Sequence, residues 1–350
     1  MLWKGGFLAC IRQGSRTPYL DPKLPFLLNA VMEKNELPAL VRYLTLATAI
    51  LTWLLILVGG IVHGTGSSLA CPDWPTCYGT FFPEMKGGIF FEHSHRLIAA
   101  AVGLLTVILA LLFGISKAKR GFKKAALIAV FLVIFQGVLG GITVLYRLPT
   151  LVSTAHLAVS MAFLGLMTGL AYFSWNPELK LSSGSARSLL PWILPATLLI
   201  YLQIVLGAWV RHTGAGLACL EIPLCRGSLW PVGAPLILQF HMLHRLGGII
   251  VAFAVFGCAW QMNRVPGIPK PMQWLSYASL LLVALQIALG LWSIYSGLGL
   301  FPVIAHLGVA ALLWVDFLLL DFILFRHRRT ETLSAAAPLV SAPSTLQVPR

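Results

Sequence analysis

Eight stretches of the sequence stay apolar for about 20 residues each, and that pattern leaves little choice of fold. They run roughly over 43–62, 93–115, 125–145, 152–174, 189–210, 239–262, 272–294 and 303–325. A run of that length crosses a ~30 Å hydrocarbon layer as a helix, which satisfies all its own backbone groups there. Composition agrees: 58% of residues are hydrophobic, 10% are charged, and mean hydropathy is +0.85. An ordinary soluble domain carries about 25% charged residues. This chain therefore lacks the polar surface for a water-soluble enzyme, a nucleic-acid binder or a disordered chain. The first run is full length and follows about 40 polar and basic residues, which is not the plan of a cleaved signal peptide.

The net charge of +14 reads as a topology signal rather than a phosphate-binding surface. Lys4, Arg12, Arg16, Lys23, Lys34 and Arg42 precede or open the first span. Lys117, Lys119, Arg120, Lys123 and Lys124 follow the second, Lys180 and Arg187 the fourth, and Arg264 and Lys270 the sixth. Arg326, Arg328, Arg329 and Arg350 follow the eighth. All of these fall on one side, against Lys86, Arg147, Arg211 and Arg226 on the other. The positive-inside rule then predicts that both termini are cytoplasmic, or on the matrix side. The Ala-, Pro- and Ser-rich stretch after Thr330 has no periodicity and is predicted to be disordered.

The chain is also written twice. Residues 62–79 (VHGTGSSLACPDWPTCYG) and 210–227 (VRHTGAGLACLEIPLCRG) are identical at nine of eighteen positions at an offset of 148, against about one by chance. The repeat continues as Glu92–Leu97 over His241–Leu246, as Gln136–Gly140 over Gln286–Gly290, and as Ala155–Leu157 over Ala305–Leu307. Four spans per half restore the starting side, so the halves share one orientation. The expected architecture is an all-α membrane protein of two four-helix bundles related by a pseudo-twofold axis along the membrane normal. The expected boundaries are a basic extension over 1–40, bundles over 41–175 and 176–326, and a tail over 327–350.

Four histidines take repeated helix positions: His95 and His156 in the first half, His244 and His306 in the second. Each lies near the outer end of its span, where polar groups are costly unless they face a partner. A lone histidine would read as packing. Two duplicated pairs at matching depth read as metal ligands, and two imidazoles without a completing Cys or carboxylate set suit heme iron rather than tetrahedral zinc. No CxxCH occurs, so such a heme would be held without a covalent link. His63, His93, His212 and His327 have no repeat partner and read as interfacial or solvated.

Glu92 shares a helix face with His95, and its repeat equivalent is His241. The asymmetry suggests one site that transforms its ligand and one that only carries electrons. Arg96 and Arg245 directly follow the histidines and suit either propionate anchoring or snorkelling to headgroups. Cys71 and Cys77, and equivalently Cys219 and Cys225, sit in matching outer loops with five residues between them. An oxidising compartment favours a disulfide in each, free thiols or metal ligands being the alternative. Cys10 and Cys258 are unpaired, Trp74 and Trp230 fit interfacial placement, and Asp316 lies deep in the eighth span without an account.

The TGSSLACPDWPTCYG loop, the EHSHR start of span two, the HMLHR of span six and the lone histidines of spans four and eight together resemble the heme A synthase family over roughly residues 40–326. That resemblance implies a membrane enzyme that oxidises a ring methyl of heme O to a formyl group by successive hydroxylations and loss of water from the geminal diol. It implies Glu92 as the substrate-site carboxylate, His95 and His156 as substrate-heme ligands, and His244 and His306 as ligands of an electron-supplying heme b. It also implies the disulfides Cys71–Cys77 and Cys219–Cys225. His63 stands where the family often has Arg. Implied partners are the lipid bilayer, heme O, a heme O synthase and an electron donor, with no nucleic acid.

Two other readings compete. A two-heme b-type electron-transfer cytochrome or reductase explains the histidine pairs but not the Glu92/His241 difference. A transporter with parallel repeats explains the duplication, but no span has a Gly/Pro-broken middle. The expected location is a bacterial plasma membrane, with a mitochondrial inner membrane as the alternative.

Overall fold

A computed structural model of the chain describes residues 37–328. The basic extension and the tail lie outside the described residues, apart from Leu37–Leu40 and His327–Arg328. The rest is eight long helices: α1 (Ala39–Gly64), α2 (Gly87–Ile115), α3 (Arg120–Leu145), α4 (Thr150–Trp175), α5 (Ser183–His212), α6 (Leu236–Arg264), α7 (Lys270–Tyr295) and α8 (Leu300–His327). A single 3-10 turn, Ala215–Leu217, precedes α6. Among the described residues there is no strand, only two isolated bridges. All eight helices are long and apolar enough to cross a membrane.

The helices have 26 to 30 residues, so at 1.5 Å per residue they reach about 39–45 Å and overshoot the hydrocarbon layer. The excess lies where charged residues ended the apolar runs. Helix α2, for instance, opens at Gly87 and carries Glu92 and His93 as buried helical residues. Local chemistry sets the ends. Pro38, Pro149, Pro235 and Pro269 stand at helix starts, where a missing N–H costs nothing. The Ser182 hydroxyl caps α5 by accepting from Ser185 N at 3.0 Å.

Packing runs around two rings. The first closes through α1–α2, α2–α3, α3–α4 and α4–α1, the second through α5–α6, α6–α7, α7–α8 and α8–α5, and no contact of that extent joins the diagonals. Each ring surrounds an axis with α2 opposite α4, and α6 opposite α8. Between the rings, α4 packs on α8, α1 on α8 and α4 on α5. The cross-ring contacts match at repeat-equivalent positions. Trp53 Nε1 donates to Gly308 O at 3.2 Å, and Tyr201 Oη donates to Ala158 O at 3.0 Å. Small residues bring α4 close to α8: a Cβ on Gly165 would stand 2.9 Å from Leu318, and one on Gly169 would stand 3.2 Å from Phe322.

Helices α4 and α8 form the interior seam and are the most buried of the eight, whereas α7 is the least buried. Elsewhere large apolar side chains such as Leu111, Phe131, Phe253 and Trp274 face outward, as a lipid-contacting surface requires. Phe113 and Phe122 stack at 5.3 Å within the first ring's core. The second ring's core gathers Ile193, Val255, Met272 and Phe317.

Candidate functional site

Two loops cover one end of the rings, residues 65–86 after α1 and 213–235 after α5. Each is closed by a disulfide, Cys71–Cys77 and Cys219–Cys225, with Cα atoms 4.7 Å and 5.4 Å apart. The sequence analysis favoured these pairings, and the structure contains both. The loops turn back identically. Cys77 and Thr80 exchange backbone hydrogen bonds, as do Cys225 and Ser228. Tyr78 and Arg226 take positive φ beside Gly79 and Gly227, the two-residue turn that twists a hairpin correctly. An acidic side chain holds each turn. Asp73 accepts from Tyr78 N and Gly79 N at 2.6 and 2.9 Å, and Glu221 accepts from Gly227 N at 3.2 Å. The Thr76 hydroxyl, donating to the same carboxylate, is the largest reason Asp73 is drawn down to about 2, and those two backbone N–H groups add to it.

The arginines pin these loops to the helices. Arg96 donates to Asp73 O at 2.8 Å, Thr76 O at 2.7 Å and Cys71 O at 3.2 Å. Arg245 reaches the three equivalent carbonyls: Glu221 O at 2.7 Å, Leu224 O at 3.5 Å, and Cys219 O more closely. These guanidiniums, which suit propionates or headgroups by sequence, here donate to the chain's own loop carbonyls, and Arg96 also to Glu92; Arg245 Nε is buried without a partner among the described residues.

Glu92 belongs to the same brace. It is buried, accepts from Cys71 N at 2.8 Å, and pairs with Arg96 Nη2 at 2.6 Å. In the second half the buried His241 takes its place, its Nδ1 accepting from Cys219 N at 3.4 Å. The equivalent backbone N–H of each loop is thus capped, Cys71 by a carboxylate and Cys219 by an imidazole.

One or two turns below the loops stand the four repeated histidines, each within the first three turns of its helix. His95 and His156 occupy the diagonal helices α2 and α4, and His244 and His306 occupy α6 and α8. The His244 and His306 rings lie 6.4 Å apart between centroids. Two metal–imidazole bonds of about 2.0 Å, with the half-ring on either side, would separate centroids by about 6.3 Å. His306 Nδ1 donates to Gln286 O at 3.1 Å, which leaves Nε2 as the nitrogen with a free lone pair. The Gln203 amide stands 2.9 Å from His244 Nδ1. In the first half, His95 Nδ1 and His156 Nδ1 are buried with no partner among the described residues. Half-buried imidazoles in diagonal pairs, two of them with an orphaned Nδ1 and none with a thiolate at hand among the described residues, fit axial ligation of a planar metallated macrocycle. Gln136 and Gln286 brace the arrangement by donating to His156 O at 2.6 Å and His306 O at 2.7 Å.

The unrepeated histidines differ from expectation. His93 is buried, not solvated: its Nε2 donates to Phe81 O at 3.1 Å, and its ring lies beside the Cys71–Cys77 disulfide. Those two sulfurs are spent on each other, so the trio is no metal site. His63 and His212 meet between the rings with centroids 5.2 Å apart, and His212 Nδ1 lies 3.3 Å from the Thr154 hydroxyl, two residues before His156. Sequence comparison missed this pair because the two histidines are not equivalent in the repeat. His327 instead ties the opposite end, reaching Leu179 O at 2.8 Å. Trp74 is not simply interfacial either: its indole lies against Gly141 of α3. Asp316 is buried with one oxygen that has no partner among the described residues, and so is Asp321. Cys258 is a free buried thiol as expected, and Cys10 lies outside the described residues.

Known proteins are similar to this chain in sequence. The family model described as cytochrome oxidase assembly protein, COX15-CtaA, matches residues 42–89 and 84–318. A Shewanella oneidensis protein named heme A synthase is 28% identical over 327 residues, covering 81% of this chain and 96% of its own length. Proteins of the same name from Symbiobacterium thermophilum and Alkalihalophilus pseudofirmus are 30% and 31% identical. They cover 78% and 71% of this chain, and 92% and 85% of themselves.

Proposed function

From the premise that this chain belongs to the COX15-CtaA family of cytochrome oxidase assembly proteins, we propose that it is a heme A synthase, converting the ring methyl of heme O to the formyl group of heme A. The observation that carries the reading is the doubled pair of half-buried imidazoles on diagonal helices, with a buried carboxylate above only one of them. His95 and His156 hold the substrate heme in the first ring, residues 41–175. His244 and His306 hold a resident heme b in the second, residues 176–326. When bound, heme b supplies one-electron redox chemistry to the reaction.

The chain's own residues do the rest. Each disulfide loop closes its ring from above, and Arg96 and Arg245 hold the loops down, which keeps water from the apolar interior. Glu92, one turn from His95, holds a negative charge or a proton at Oε1 or Oε2 beside the substrate's edge. The two bundles are related by a pseudo-twofold axis, in keeping with the matched Trp53 and Tyr201 contacts. Both termini face the cytoplasm of a bacterial plasma membrane, with a heme O synthase and an electron donor as neighbours.

One observation favours the runner-up, a two-heme b-type electron-transfer cytochrome. His241 performs the loop-capping role of Glu92, so the asymmetry has a structural use as well. Supplying heme O to the protein in the presence of dioxygen and an electron donor, then extracting its hemes, separates the readings. Wild type should yield heme A and Glu92→Ala none, with heme b bound in both. Heme b alone from the wild type would favour the cytochrome.

A further inference from the structure

Each of the four histidine rings lies on a glycine of the helix before its own. A Cβ on Gly59 would stand 3.2 Å from His95 Cε1, one on Gly140 3.3 Å from His156 Cε1, one on Gly207 2.9 Å from His244 Cε1, and one on Gly290 3.3 Å from His306 Cε1. The four fall at the repeat offsets, Gly59 over Gly207 and Gly140 over Gly290. None takes positive φ, so the backbone does not need glycine there. Glycine inside a helix costs about 1 kcal/mol relative to alanine, and four such residues at equivalent places call for a reason.

We propose that Gly59, Gly140, Gly207 and Gly290 are seats for the imidazoles, positioning residues that set the height and tilt at which each ring meets iron. The proposal rests on the histidines being heme ligands. Cε1 lies between the two ring nitrogens, so the glycine touches the edge beside the coordinating atom. A methyl group at that spot must push the ring by a few tenths of an ångström. Metal–ligand distances tolerate about 0.2 Å, so the displacement reaches the bond itself. The seats are specific among these glycines. A Cβ on Gly137, one turn before Gly140 on α3, would meet nothing within 4 Å, and one on Gly257 of α6 would only touch Trp192 at 3.8 Å.

Glycines that merely let helices approach would give a different result from glycines that seat a ligand. The test uses the full-length protein with its heme b. Gly207→Ala and Gly290→Ala are compared with Gly257→Ala, Gly137→Ala and His244→Ala. Heme b per protein is measured through serial dilution in detergent, and the ferric electron paramagnetic resonance spectrum is recorded. Gly207→Ala should weaken heme b on the order of tenfold and shift or split the low-spin signal, because tilted or lengthened ligation changes the iron's field. Gly290→Ala, with the looser contact, should do so less and serves if Gly207→Ala does not assemble. The Gly257 and Gly137 variants should match wild type. A wild-type spectrum and affinity in both Gly207→Ala and Gly290→Ala would overturn the proposal. Retention of heme b by His244→Ala would instead remove the ligand assignment beneath it.

Discussion

Exchanging Glu92 for the residue that stands in its place in the other half separates bracing from chemistry. In Glu92→His the imidazole can accept from Cys71 N as His241 accepts from Cys219 N, so the loop keeps its cap. What disappears is the ion pair with Arg96, 2.6 Å long between side chains 4% and 14% exposed. A hydrogen bond to a charged group is worth about 1.5–3 kcal/mol, and the new neutral bond returns about 0.5–1.5 kcal/mol. Arg96 keeps its three loop carbonyls, the state in which Arg245 already exists. The net loss should be about 1–2 kcal/mol, well short of the 3–5 kcal/mol typical when a buried pair loses one member outright, as in Glu92→Ala. The assay combines thermal unfolding in detergent, mass determination of the intact disulfides, and extraction of hemes after feeding heme O. We expect a small drop in stability, both disulfides present, heme b retained and heme A absent. Wild-type heme A yield from this variant would show that the carboxylate only braces the loop.

Arg245→Ala removes the donor to three carbonyls of the second loop, and protease should then cut within 219–228 several-fold faster while the first loop stays protected. Unchanged cleavage would mean that the disulfide alone holds the loop. Asp73 has its pKa lowered from 3.8 to about 2, so its contribution to the first loop is complete above about 3.8 and vanishes as pH falls through about 2. Wild-type loop protection should therefore persist to about pH 2, whereas Asp73→Asn should be more readily cleaved throughout and show no inflection there. Trp53→Phe and Tyr201→Phe each delete one hydrogen bond between the rings and should cost about 0.6 kcal/mol apiece in unfolding measurements. A several-fold difference between them would argue against equivalent interfaces. A membrane-impermeant maleimide should label Val232→Cys in intact cells and Lys117→Cys only in inverted vesicles, and the opposite pattern would reverse the proposed orientation.

The eight spans, the duplicated loops and the cysteine pairs were legible because each is written locally, as a run, a repeat or a short spacing. The destinations of Arg96 and Arg245 were not. Both sit next to a ligand histidine in sequence, yet their partners lie 20 to 26 residues earlier, in loops whose return path the sequence does not state. His93 points away from the His95 face as helix geometry predicts, but the other face is roofed by the Phe81 loop rather than open to solvent. The contact between His63 and His212 is invisible to a comparison of halves, since one aligns with Arg211 and the other with Gly64. Gly59 and Gly207 could be seen to repeat, but their use depends on which residue of the next helix reaches them, a matter of helix register.

The account depends most on the repeated histidines acting as pairs on iron. Near-infrared magnetic circular dichroism of the purified ferric protein reports axial ligands directly, and it should show a bis-imidazole heme b in the wild type. That signal should be lost in His244→Ala and in His306→Ala, and kept in His95→Ala and His156→Ala, which should bind heme b but form no heme A. A wild-type heme b signal from His244→Ala or His306→Ala would contradict the account.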